Sequence, residues 1–258
     1  MNALPVIELI GAGISAEVGG EPLLREVSWT VFAGDFWVIS GSHGSGKSVL
    51  LETLAGIRPC AGGEVCWFGG PATAMGNEES GQVPLRRRLG LVFEGGGRVF
   101  SQLTVAENIA LPVAYHDGGS VGEALERTAG LRRVLELDRL AAAPAGRVGR
   151  GWMQRVALGR ALALQPEILL LDNPVAGLDP SHLHWWKTFL VALSKGHPVT
   201  QGRPVTLVMT ADDPGPWVGI GRQFAETHDQ TWQVLPQPVS SAPKADVPPW
   251  PGVLSPTS

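Results

Sequence analysis

Two cysteines in a chain of 258 residues can form at most one disulfide. Without a third or fourth ligand beside them, Cys60 and Cys66 make no zinc site either, and they read as reduced thiols flanking a strand. Lysine is also scarce, with four copies, and the formal net charge is −4. Nucleic-acid backbones are read by clustered Lys and Arg, so no nucleic-acid partner is expected. The one basic run, Arg86-Arg87-Arg88, reads as a solvated face. Long hydrophobic runs are missing: stretches such as Ile168 to Leu171 have strand length, far short of the ~18 residues of a membrane span. The first basic residue is Arg25 and Glu8 interrupts the early apolar stretch, so no secretory leader is expected and a cytoplasmic location is.

What the chain has in abundance is glycine (34), with 21 prolines, on a background of 44% hydrophobic and 17% charged residues. That background supports a folded core, which places the excess glycine in particular loops. Apolar runs of strand length fall at Val27–Phe32, Phe36–Ser40, Glu64–Trp67, Leu89–Phe93, Ile168–Leu171 and Val205–Thr210. Between them the periodicity predicts helices, clearest over Val121–Leu140, where Val121, Ala124, Leu125, Thr128, Leu131 and Leu135 line one side. Strands alternating with helices predict an α/β fold with a mainly parallel sheet. Residues 98–164 read as a helical insertion, and residues 234–258, with seven prolines, as an extended tail.

One glycine cluster explains itself chemically. Gly41-Ser42-His43-Gly44-Ser45-Gly46-Lys47-Ser48 follows an apolar strand and precedes the helical run Val49–Ala55, the required context for a phosphate-binding loop. Small residues let backbone N–H groups converge on phosphate oxygens, and the helix N-terminus adds partial positive charge. In that scheme Lys47 reaches the β- and γ-phosphates and Ser48 coordinates Mg²⁺, with Gly41, Ser42, Gly44, Ser45, Gly46 and Val49 completing the nucleotide-binding set. Ile168–Leu171 ends in Asp172, an acid suited to holding Mg²⁺ opposite the loop.

Further motifs carry a family resemblance over roughly residues 5–233. Gln154–Ala163, followed by Pro166–Asp172, is similar to the signature helix and Walker B strand of the ATP-binding cassette (ABC) ATPases, and Ala176-Gly177-Leu178-Asp179-Pro180 resembles their D-loop. The resemblance implies a RecA-like mixed sheet with an antiparallel β part and an inserted helical subdomain. It also implies ATP and Mg²⁺ as ligands, a second ATP-binding subunit, and a membrane permease gripped from the cytoplasmic face. The dimer contacts it implies are Gly149, Arg150 and Gly151 of the signature and Asp179 of the D-loop. The segment Leu91–Phe100, continuing through Leu103–Pro112, is most similar to the subset serving phospholipid trafficking with mammalian-cell-entry proteins; amino-acid importers share much of its second half.

Departures from the family pattern concentrate at the reacting end. Asn173 stands where the family has a catalytic glutamate, Ala211 where it has a histidine, and Glu94 where it has the Q-loop glutamine. The signature is reduced to Val148-Gly149-Arg150-Gly151-Trp152, and no aromatic for adenine stacking appears near Ile14–Val18. An amide cannot take a proton from water, and general-base catalysis contributes ~10²–10⁴-fold. Two readings remain open: a transporter ATPase with slow hydrolysis, or a pseudo-ATPase that binds nucleotide as a structural or regulatory subunit. In a repaired site, Glu94 would serve as base and metal neighbour, Asn173 would orient the water, and Arg150 would stabilise charge on the partner's γ-phosphate. Trp185 and Trp186 are expected in the core, and His182 and His184 are not expected to form a metal pair.

Overall fold

The computed structural model describes residues 5–71 and 85–236. A four-stranded antiparallel sheet, in the order β2 (Pro22–Phe32), β1 (Pro5–Ser15), β4 (Glu64–Trp67), β5 (Gly70–Pro71), packs against a six-stranded mixed sheet. The larger sheet runs β10 (Thr231–Leu235), β9 (Gln223–His228), β3 (Phe36–Gly41), β8 (Thr206–Ala211), β7 (Ile168–Leu171), β6 (Leu89–Val92). Its pairs are parallel except β9–β10, which is antiparallel.

The two-residue period of a strand explains why these runs are apolar throughout. Phe36, Val38, Leu169, Leu171, Leu207 and Met209 face a core shared with α6 (Arg150–Leu162) and α7 (Pro180–Lys195). Their neighbours Trp37, Ile39, Ile168, Leu170 and Val208 face a second core, shared with β1, β2 and α1 (Lys47–Leu54). A sheet covered on both faces needs hydrophobic residues at every position. Trp185 and Trp186 lie in the first core as expected, with Trp185 stacked on Phe189 at 4.8 Å.

The segment read as helical contains α3 (Val105–Asp117), α4 (Val121–Arg127), α5 (Ala129–Val134) and α6, after the short α2 (Leu85–Arg88). Reciprocal capping boxes start two of these, Thr104 with Glu107 and Ser120 with Glu123. The single helix expected over Val121–Leu140 is divided: Thr128 Oγ1 bonds back to the Ala124 carbonyl at 2.8 Å and its backbone leaves the helical region. Val121, counted on the buried face, is exposed. The insertion is also not purely helical, because Thr104 and Pro144 form an isolated antiparallel bridge.

Ordered structure extends past residue 233: Val234 and Leu235, assigned to the tail by sequence, complete edge strand β10. Residues 237–258 lie outside the described residues. Among the described residues no helix is long and apolar enough to cross a membrane.

Two histidines make stability depend on acidity. Burial lowers the pKa of His197, and burial followed by the nearby Arg155 charge lowers that of His182, both below the ordinary value of 6.5. An unfolded chain therefore takes up protons first, so this stability is complete above about pH 6.5 and is lost as pH falls below it. The thermal midpoint is expected to drop between pH 7 and 5.5. His197→Asn, which keeps an acceptor for the Val199 N–H, is expected to flatten that slope.

Candidate functional site

The carboxyl ends of four neighbouring parallel strands converge: β3 delivers the glycine loop, β8 Asp212, β7 Asp172 and Asn173, and β6 the segment containing Glu94. Ligands of open α/β sheets collect at such ends. Two glycines are required by geometry in this loop. Gly41 has φ 152°, and a Cβ there would meet Thr227 Oγ1 at 2.2 Å; Gly46, at φ 94°, opens α1 from the left-handed region. Ser45 Oγ and Thr227 Oγ1 share a 2.6 Å hydrogen bond, and Thr227 Oγ1 donates to the Ser40 carbonyl, tying the loop to β9. α1 has neither a side-chain cap nor an acidic residue in its first turn, which leaves its N-terminal field to an anion. Gly41→Ala is expected to displace the loop and weaken nucleotide binding at least about tenfold by equilibrium titration, because the clash includes the Thr227 carbonyl as well as its side chain.

Lys47 is only 7% exposed, and its ammonium donates to the carbonyls of Gly41 (2.6 Å) and Ser42 (2.8 Å) and pairs with Asp212 Oδ1 at 3.1 Å. Ser48 Oγ donates to Asp172 Oδ1 at 3.1 Å, and Thr210 Oγ1 donates to the same oxygen at 2.7 Å. The structure thus brings together the loop lysine, the hydroxyl and the strand-end acid that the sequence assigned to phosphate and metal. A cavity of about 190 Å³ is bounded by them and by His43, Gly44, Val49 and Glu94.

Asn173 sits at φ 41°, a region asparagine tolerates better than most residues. Its backbone N–H donates to Thr210 Oγ1 at 2.9 Å, and its side-chain amide donates to Asp212 Oδ2 at 2.9 Å. Glu94 borders the cavity, with Oε1 3.8 Å from the Arg150 guanidinium. Within a single chain the half-exposed Arg150 lies near its own Glu94 and over Gly177.

The remaining signature residues lie to the side. Gly149 caps α6 without a side-chain bond, and Gly151 lies so close to His182 that a Cβ would meet the imidazole at 2.6 Å. Asp179 caps α7, accepting from the His182 N–H (3.0 Å), the Ser181 hydroxyl (2.7 Å) and the Ser181 N–H (2.9 Å), and these bonds hold its carboxyl below the usual range. His182 rests edge-on against Trp152, and no metal-binding cluster is formed among the described residues.

Three residues in or beside this site were missed by sequence reasoning. Thr210 and Asp212 flank Ala211, whose identity drew attention to a lost histidine rather than to the acid that follows it. Leu23 borders the cavity where the sequence offers no aromatic, its position next to Gly46 depending on a distant strand.

The family model described as "ABC transporter" matches residues 24–176, more than half of the chain. The chain belongs to the ABC transporter family. Its ABC ATPase fold is shared with the dimeric cassette MJ0796 in a post-hydrolysis state bound to ADP and Pi (TM-score 0.75, 26% identity, 89% of this chain and 99% of that one). CbiO1 of Clostridium perfringens, part of the transporter complex cbiONQ, shares the fold at TM-score 0.72 and 21% identity, over 91% of this chain and 88% of that one. Among curated ABC proteins, the methionine import ATP-binding protein MetN of Caulobacter vibrioides is 36% identical over 162 residues, 63% of this chain and 48% of the relative. The sulfate/thiosulfate import ATP-binding protein CysA of the same organism is 34% identical over 169 residues, 64% of this chain and 48% of the relative. The ABC chain spans about half the length of these curated relatives.

Proposed function

We propose that this cassette is the ATP-binding subunit of a transporter, holding MgATP firmly and cleaving it slowly while coupled to a membrane permease. The observation that carries the reading is the convergence of Lys47, Ser48 and Asp172 beside an amide, Asn173, where a proton acceptor would be needed. These residues fit a magnesium nucleotide: a buried cation, a glycine loop with no room for a Cβ at Gly41, and a hydroxyl already in contact with a carboxylate. Ser48 and Asp172 would hold Mg²⁺, which neutralises charge on the β- and γ-phosphate oxygens when bound. Asn173 can orient a water but cannot deprotonate it.

Partner contacts follow from the same placement. We assign the permease to a cleft of about 260 Å³ lined by Phe93, Arg98, His116 and Arg160, where the segment around Glu94 meets the helical insertion. The reading further has the cassette on the cytoplasmic face of the membrane, paired with a second ATP-binding subunit through the signature and Asp179, as the dimeric state of the MJ0796 cassette supports.

Cargo belongs to the membrane partner. The stretch Leu91–Pro112 supports a phospholipid, and the relatives named for methionine and sulfate import support a small solute. Co-reconstitution with the permease in vesicles decides between them by scoring ATP-dependent transfer of labelled lipid against uptake of methionine or sulfate. The slow-turnover reading expects roughly 10⁻³–10⁻¹ s⁻¹, a typical ~10 s⁻¹ reduced by the missing base. The pseudo-ATPase reading, favoured by Asn173, expects transfer to follow binding with no turnover. Glu94→Gln is expected to leave the residual rate within about threefold, since Glu94 lies at the cavity's edge within 3.8 Å of Arg150; a loss of tenfold or more would restore it as the base.

A further inference from the structure

We propose that Asp212 competes with the third phosphate of a nucleoside triphosphate for Lys47, and so sets how strongly the cassette prefers triphosphate over diphosphate. The inference rests on the reading that Lys47 holds nucleotide phosphate.

An ammonium has three N–H donors. At Lys47 all three are engaged, by the Gly41 carbonyl, the Ser42 carbonyl and Asp212 Oδ1. Two of these acceptors are backbone groups of the loop itself. Asp212 is the charged one, and its side chain is 56% exposed, so it alone of the three can leave without moving the loop. Its other oxygen accepts from Asn173 Nδ2 at 2.9 Å, so the carboxylate bridges the lysine and the amide at the strand-end side of the cavity. A diphosphate draws on the loop, the start of α1 and only the part of Lys47's reach that serves the second phosphate. A third phosphate would lie on the side of the cavity bounded by Asp172, Asn173 and Asp212, where the charge of Asp212 already sits. Like charges a few ångströms apart, partly screened by water, change affinity by about tenfold. Because Asp212 Oδ2 is bonded to Asn173, a displacement of Asp212 by the third phosphate would be felt at Asn173 as well.

Asp213 supplies an internal control. It carries the same charge one residue along, but Oδ1 accepts from the Gly215 N–H at 2.8 Å, within its own turn.

The test is equilibrium titration of the intact chain with MgATP and MgADP, with circular dichroism to confirm folding. Asp212→Asn is expected to tighten MgATP about 5–10-fold and MgADP less than about twofold, with Asp212→Ser behaving alike and Asp213→Asn changing neither. An unchanged ATP-to-ADP affinity ratio in folded Asp212→Asn and Asp212→Ser would overturn the proposal. Lys47→Ala retaining wild-type affinity for both nucleotides would overturn the underlying site assignment as well, which separates the two failures.

Discussion

Replacement of Lys47 by alanine is expected to lower MgATP affinity by about 100-fold or more, with the fold retained. Its ammonium is buried against the loop and pairs with the displaceable Asp212 carboxylate. A charge-assisted contact in such a site is roughly twice as strong as a neutral one. Truncation also leaves the Gly41 and Ser42 carbonyls without their donor, which loosens the phosphate cradle itself. Lys47→Arg is expected to fail too, because a planar guanidinium does not fit the space in which two loop carbonyls lie 2.6 and 2.8 Å from a compact ammonium. Fluorescence titration with a labelled ATP analogue reads both variants, and near-wild-type thermal midpoints would show that the loss belongs to the site.

Asn173→Glu is expected to raise steady-state phosphate release about 100-fold, within the range a general base supplies. Two features of the structure oppose the gain. The backbone at φ 41° suits asparagine better than glutamate and is expected to cost up to about 1 kcal/mol of stability. The new carboxylate would also face Asp212, which now accepts from the Asn173 amide at 2.9 Å. The double variant Asn173→Glu/Asp212→Asn removes that repulsion and is therefore expected to exceed the single one. If both bind MgATP normally yet neither gains, the limiting defect lies in the altered signature around Arg150 rather than in the base.

The legibility of this protein in its sequence follows the range of the interactions involved. The phosphate loop was readable because its chemistry forces small residues, Lys47 and Ser48 into one contiguous stretch, and β7 because full burial demands four apolar residues before Asp172. Strand β1 was not read: Gly11 and Gly13 interrupt its apolar run, and its pairing with β2 is irregular. The β9–β10 hairpin was also missed, since its turn uses Asp229 and Gln230 at φ 44° and 63°, with no glycine to signal it. Asp212 was invisible for a different reason, because its significance lies in proximity to Lys47 and Asn173, which only the parallel pairing of β3, β8 and β7 creates. The proximity of Arg150 to Glu94, 3.8 Å within the single chain, is likewise a product of the fold that the sequence does not show.

The central claim is that this site binds ATP more securely than it cleaves it. Mixing excess cassette and permease with labelled MgATP, then quenching at intervals and identifying the bound nucleotide, tests it in one experiment. The arrangement of Lys47, Ser48 and Asp172 beside Asn173 predicts nucleotide that stays bound as ATP for about ten seconds or longer, with Lys47→Ala retaining none. Conversion of bound ATP to ADP in the wild type at about 10 s⁻¹, the rate of an ordinary enzyme, would contradict it.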